Sequence, residues 1–149
     1  MLNKLIKHTL NQGIELAYTK GSYVYWMDQF PCNKPRMITL ENTGNEESMA
    51  WDLLHELGHV EVRKDWKAYK AMYPAAALAE REWMKNGTTK YKRRQAFMID
   101  TIREETAAWE AGLEIARRLR IDVDVPAYRA YAAKALTTYV RHFGKKLTR

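Results

Sequence analysis

The chain has 149 residues, 46% of them hydrophobic, which is enough for one well-buried core and too few for two ordinary domains. A single cysteine, Cys32, excludes an internal disulfide and any zinc site built on several thiolates, and fits a reducing compartment. The formal net charge is +7, and because residues 1–50 hold five basic and five acidic side chains, the whole excess falls in residues 51–149, which favours acidic partners without defining a binding site.

Residues 2–11 carry Leu2, Leu5, Ile6 and Leu10 at helical spacing and predict a short helix. This N-terminal stretch has no signal-peptide core, and no run of about 18 apolar residues occurs anywhere, so a soluble, cytoplasmic protein with no membrane partner is expected. Three extended segments follow, Ile14–Tyr18, Tyr23–Met27 and Met37–Leu40, separated by Gly21, Pro31 and Pro35. Thr43-Gly44-Asn45-Glu46 fits a capping box, and the helix it opens should run from Glu46 to Arg63. On that helix Ala50, Leu53, Leu54, Leu57 and Val60 form an apolar side, with Ser48, Asp52, His55 and His59 on another.

Asp65 to Gly87 reads as one or two irregular helices around Pro74 and Ala75–Lys85. The densest basic stretch, Lys85–Arg94, contains one aromatic residue, Tyr91; it is a candidate for weak nucleic-acid association, although such runs are more often solvated. A long helix is expected from Lys90 to Arg120, and a last one from Ala127, after Pro126, to Phe143, stopping at Gly144. The expected architecture is a single α+β unit spanning residues 1–149, in the order helix, small three-stranded sheet, then helices towards the C-terminus.

Within that helix, His55-Glu56-Leu57-Gly58-His59 carries the chemistry. Residues i and i+4 share one helix face, so both imidazoles can reach one Zn²⁺ ion, and Glu56 falls beside them as a candidate general base for a water on the metal. Two histidines and a water leave a tetrahedral site one protein ligand short. His8 and His142, near the chain ends, have no local metal-ligand spacing. Asp65 lies six residues after His59, at the last position of HExxHxxGxxH, but Val62 occupies the turn position where that pattern has glycine, and a β-branched residue is disfavoured there.

The long helix supplies the favoured third ligand. Met98, Ile102, Glu105, Trp109, Gly112, Ala116 and Leu119 recur by fours and threes on one stripe, and Glu105 is its only ionisable member. Burying that acid is costly unless it is compensated, by a metal or by an arginine such as Arg103. Ala108 and Gly112 are small enough to let the two helices approach closely. Glu104, on the neighbouring stripe with Phe97, Ala108, Ala111 and Ile115, is the alternative ligand. Tyr128, Tyr131, Tyr139 and His142 are candidate donors to an oxyanion, and the tryptophans read as packing residues.

With these residues the chain resembles gluzincin-type zinc metallopeptidases, most closely the small ImmA/IrrE-like proteins of phages, prophages and their hosts. The resemblance covers roughly residues 14–119. It matches His55 and His59 to the ligand histidines, Glu56 to the catalytic glutamate and Glu105 to the glutamate of the downstream ligand helix. Gly58 agrees with the HELGH form of that family; Trp109-Glu110-Ala111-Gly112-Leu113 replaces the usual Phe-Ala and Leu-Leu-Met-Pro continuation. The resemblance implies a zincin-like fold with the small sheet packed on the Glu46–Arg63 helix, hydrolysis of a protein or peptide substrate, and the host cytoplasm if the protein is phage-encoded. The competing expectation is a small basic nucleic-acid- or protein-binding module in which the metal is structural or absent.

Overall fold

The amphipathic N-terminal stretch folds as α1 (Leu2–Asn11), burying Leu2, Leu5 and Thr9; the Thr9 hydroxyl donates back to the Leu5 carbonyl at 2.9 Å. In this computed structural model, which describes residues 1–26 and 34–147, α1 is followed by β1 (Glu15–Thr19), β2 (Tyr23–Trp26) and β3 (Pro35–Glu41). The strands form one mixed sheet in the order β1-β3-β2. β1 runs parallel to β3, with Glu15 opposite Met37 and Thr19 opposite Glu41, while β2 runs antiparallel to β3, with Tyr23 opposite Thr39. β3 is therefore central, and its Ile38, Thr39 and Leu40 are buried. Pro35 begins β3 instead of separating strands, a position where its missing N–H is tolerated. Pro31 and Met27 of the expected pattern lie outside the described residues.

The helical remainder consists of α2 (Glu46–Arg63), α3 (Trp66–Met72), α4 (Pro74–Asn86), a 3-10 turn at Lys90–Arg93, α5 (Gln95–Arg118) and α6 (Val125–Leu147), so the class is α+β. α2 has the expected bounds but a different cap. Asn45 Oδ1 accepts from the N–H groups of Glu47 (2.9 Å) and Ser48 (3.2 Å), while Thr43 Oγ1 caps only the approach by accepting from Asn45 N. Asn45 is extended at φ −110°, as an N-cap must be. α5 starts later than expected because Arg94 is extended (ψ 143°), which detaches Lys90–Arg93 as its own turn. α6 runs through Gly144, which does not adopt the positive φ by which Gly87 (φ 63°) ends α4. No helix of the described residues is long and apolar enough to cross a membrane.

α2 and α5 form the centre of the molecule. On one side, Leu53, Leu54, Leu57, Trp109, Leu113 and Ala116 join Leu5, Ile38 and Leu40 in the main core, with Tyr128 of α6. On the other, Tyr69, Tyr73, Ala76 and Ala77 of the α3–α4 region make a smaller cluster against Val62 and Phe97. Asp100 of α5 supplies the missing cap of α4, accepting from the N–H groups of Ala75 (2.7 Å) and Ala76 (3.3 Å).

Glycine sets how closely α2 and α5 approach. A methyl group added at Gly58 would collide with the Ala108 carbonyl, and one at Gly112 would lie 2.7 Å from the Leu54 carbonyl oxygen and 2.6 Å from the Tyr128 hydroxyl. Gly58 lies on Ala108 while Leu54 lies on Gly112, so the two helices run antiparallel, with the histidine face of α2 opposite the Glu104–Glu105 turn of α5.

Candidate metal centre

The close approach of α2 and α5 brings three donor atoms together. The Nε2 atoms of His55 and His59 are 3.2 Å apart, and Glu105 Oε2 lies 3.2 Å from the first and 3.5 Å from the second. In a tetrahedron with bonds of ~2.0–2.1 Å, donor atoms stand about 3.3–3.4 Å from one another. The three observed edges therefore match one face of a tetrahedral zinc site. Among the described residues, these three side chains form the group able to hold a metal ion.

Glu104 faces the same centre from one position back, and it plays a different part. It accepts from His59 Nδ1 (3.3 Å), from Arg63 Nε (2.7 Å) and from the Tyr69 hydroxyl (2.7 Å). Arg63 continues to Glu80 through Nη1 at 2.9 Å. The arginine-paired carboxylate is thus Glu104, and Glu105 points its oxygen at both histidines. Arg103, the arginine considered for Glu105, pairs instead with Asp100 at 3.3 Å. His55 is held by a ring contact: it stacks on Trp109 with centroids 4.1 Å apart and planes inclined by 16°.

The charges respond to this crowding. Burial holds the His55 imidazole below its ordinary pKa. Burial acts the same way on His59, but hydrogen bonds to Glu104 and Glu105 outweigh it and push the ring up to about 10. Burial opposes ionisation of Glu104, yet His59 and the Arg63 guanidinium hold it down to about 2. Glu105 behaves likewise, with the two histidines keeping it well below the carboxylate range against the effect of burial. At Glu56 burial outweighs the attraction of His59 and pushes the carboxyl up to about 8.

Glu56 lines a cleft of about 560 Å³ together with His55, His59 and Glu105. Edge strand β2 forms one wall through Tyr23, Val24 and Trp26, and α6 forms another through Tyr131, Thr138 and Tyr139. A second, smaller cavity of about 280 Å³ shares Trp26, His59, Arg63 and Glu105 with the first and extends to Glu80, Trp83 and Lys92. The two cavities thus adjoin at the three-donor face. No family model, no curated protein and no solved structure matches this chain.

The remaining candidates separate by position. Asp65 is the N-cap of α3, accepting from Ala68 N at 3.1 Å, so it does not join the histidines. His8 contacts Gln12 at 2.7 Å on α1, and His142 is exposed on α6 against Phe143. Tyr128 donates to the Trp109 carbonyl at 3.0 Å and Tyr131 to Asp52 at 3.1 Å, which leaves Tyr139 as the tyrosine of the cleft facing Glu105. Its phenol is raised by burial and then by the Glu105 charge. In the basic stretch, Lys92 lies over Trp83, and Lys90 and Arg94 lie over Tyr91.

Other contributors were not singled out from the sequence. Arg63 stands one turn after His59 on the same face of α2, Tyr69 and Glu80 reach the site only through tertiary contacts, and Asp52 anchors the cleft wall by accepting from Tyr131 and from Ser22 Oγ (3.3 Å). Trp109 packs, as expected of a tryptophan, but against a candidate ligand. The spacing of Trp109 from Glu105, one helical turn along the same stripe, is the signal that would have found it.

Proposed function

We propose that this chain is a zinc-dependent metallopeptidase with a zincin-like, gluzincin-type site, in which His55, His59 and Glu105 hold the ion and Glu56 is the general base. The observation that carries this reading is the donor triangle with edges of 3.2, 3.2 and 3.5 Å beside the Glu56 carboxyl in an open cleft. The donor set of two imidazoles and one carboxylate is one that zinc uses in catalytic sites, where a fourth position stays open. When bound, such an ion supplies Lewis acidity, lowering the pKa of a water and polarising a carbonyl.

The chain's own residues account for the rest of peptide hydrolysis. Glu56, on the helical position after His55, takes a proton from the attacking water and returns it to the leaving amine; its desolvation makes it a stronger base than an exposed carboxylate. Tyr139, which lines the facing wall, is the donor this reading assigns to the oxygen on which negative charge develops. The edge of β2 that β3 leaves unpaired offers backbone groups to an extended peptide lying in the groove.

A purely structural ion is the competing reading, and two features weigh against it. A site that only ties helices together has no use for a desolvated carboxyl beside it, or for a cleft of about 560 Å³. The decisive experiment uses wild type and Glu56→Gln expressed with ample zinc. About one equivalent of zinc in both, with hydrolysis of an unfolded protein substrate by wild type alone, supports the proposal; equal hydrolysis by both sinks it.

A further inference from the structure

The two histidines are supported in different ways, and the difference assigns a role to Glu104. An imidazole that binds a metal through Nε2 while neutral must carry its proton on Nδ1. For His59 that proton meets Glu104 Oε1 at 3.3 Å. For His55, Nδ1 is buried with no hydrogen-bond partner among the described residues, and the ring stacks on the Trp109 indole.

We infer that Glu104 is a positioning residue for the metal centre: its carboxylate holds His59 in the Nδ1–H tautomer with Nε2 aimed at the ion. This inference rests on the metallopeptidase reading. Glu104 is itself held on several sides, with Arg63 Nε at 2.7 Å, Arg63 Nη2 at 3.3 Å and the Tyr69 hydroxyl at 2.7 Å. It is only 5% exposed, so water cannot take over these bonds cheaply. Arg63 divides one positive charge between Glu104 and Glu80, which leaves negative charge on Glu104 for His59. A carboxylate behind a ligand imidazole raises its basicity and fixes its orientation. The α3 and α4 helices, which carry Tyr69 and Glu80, are thereby connected to the metal face through one carboxylate.

The test compares zinc affinities of wild type, Glu104→Gln and Asp100→Asn, measured by competition with a chromophoric chelator on folded protein. Glu104→Gln keeps the shape and removes the charge, and is expected to weaken zinc binding by about 10–100-fold. Asp100→Asn loosens the α4 cap away from the site and should lower Tm while leaving zinc affinity within twofold of wild type. A second measurement needs no variant: in zinc-loaded wild type, the His59 Nδ1 proton should resonate downfield of the His55 Nδ1 proton in ¹H–¹⁵N spectra and exchange more slowly. Folded Glu104→Gln with affinity within twofold of wild type overturns the role of Glu104 alone. So does a His59 Nδ1 proton that is no more shifted or protected than that of His55, and this decides the matter if Glu104→Gln does not fold. Wild type that takes up no zinc overturns both this inference and the metallopeptidase reading.

Discussion

Substituting Gly58 by alanine tests the geometry on which the metal centre depends. The added methyl would meet the Ala108 carbonyl, and backbone on a packed helix cannot swing aside as a flexible side chain can. Overpacking of this kind costs about 3 kcal/mol, and the better helix propensity of alanine returns about 1 kcal/mol, leaving a net loss of about 2 kcal/mol. For a chain of this size that corresponds to a Tm lower by about 4–8 °C. The larger consequence is local. Relieving the clash needs a shift of α5 of about 1 Å, which would carry donor edges of 3.2 and 3.5 Å, now within about 0.2 Å of the about 3.3–3.4 Å edge of a zinc tetrahedron, well past it. Zinc affinity should therefore fall by more than tenfold in protein that is still folded at 25 °C. Thermal melts and chelator competition on the same samples measure both effects. Wild-type Tm together with wild-type affinity would refute the claim that this contact sets the ligand spacing.

Four further outcomes follow from the same geometry. Glu56→Gln should retain about one equivalent of zinc and lose about 10²–10⁴-fold in peptide hydrolysis, measured as kcat on a quenched-fluorescence peptide. Because His59 and Glu56 in the metal-free chain are pushed up to about 10 and about 8, both hold a proton at pH 7, and zinc binding should release about one to two protons, seen as a buffer-dependent heat in calorimetry; no dependence on buffer ionisation enthalpy would contradict the assignment. The sign for metal-free stability is set by both shifts: the raised His59 contributes stability below about 6.5 that disappears as pH rises towards 10, and the depressed Glu104 contributes stability above about 4.5 that is lost as pH falls towards 2. Denaturant melts of the apo-protein should accordingly weaken in both directions from near pH 5–6. Asp100→Ala should cost about 1–2 kcal/mol through the lost α4 cap, read from urea unfolding.

The parts of the site governed by helical period were legible from residue order. The Glu46–Arg63 bounds of α2 follow from a capping signal and an apolar face, the preference for Glu105 over Glu104 from which positions share a stripe, and the two stripes diverge in space: Glu105 reaches the Nε2 atoms of both histidines, Glu104 the outer side of His59. Where two local signals competed, sequence could not arbitrate. Thr43 and Asn45 are both able caps, and Asn45 prevails because its side chain reaches two free N–H groups at once. Gly144 reads as a stop, yet a glycine ends a helix only when it takes positive φ, and nothing after it forces that turn. The Arg63–Glu104–Tyr69 network was invisible for another reason. Arg63 and Tyr69 stand 41 and 35 residues from Glu104, and only the packing of α2 against α5, with α3 folded back beside them, makes the three neighbours.

The role of Gly58 lay between these cases. Its place in HELGH marks it as a motif residue, but the reason for it emerges only when Ala108 is seen beneath it, since a motif written along one helix is silent about the helix opposite. The same holds for Trp109, whose stripe position points it inward without revealing that its partner is the His55 ring.

The central claim, that His55, His59 and Glu105 together hold zinc, is tested most directly by X-ray absorption at the zinc edge on metal-loaded protein. The account predicts a shell of nitrogen and oxygen donors at ~2.0–2.1 Å with the outer-sphere scattering of two imidazoles. A sulfur shell near ~2.3 Å, or oxygen donors without imidazole scattering, would contradict it.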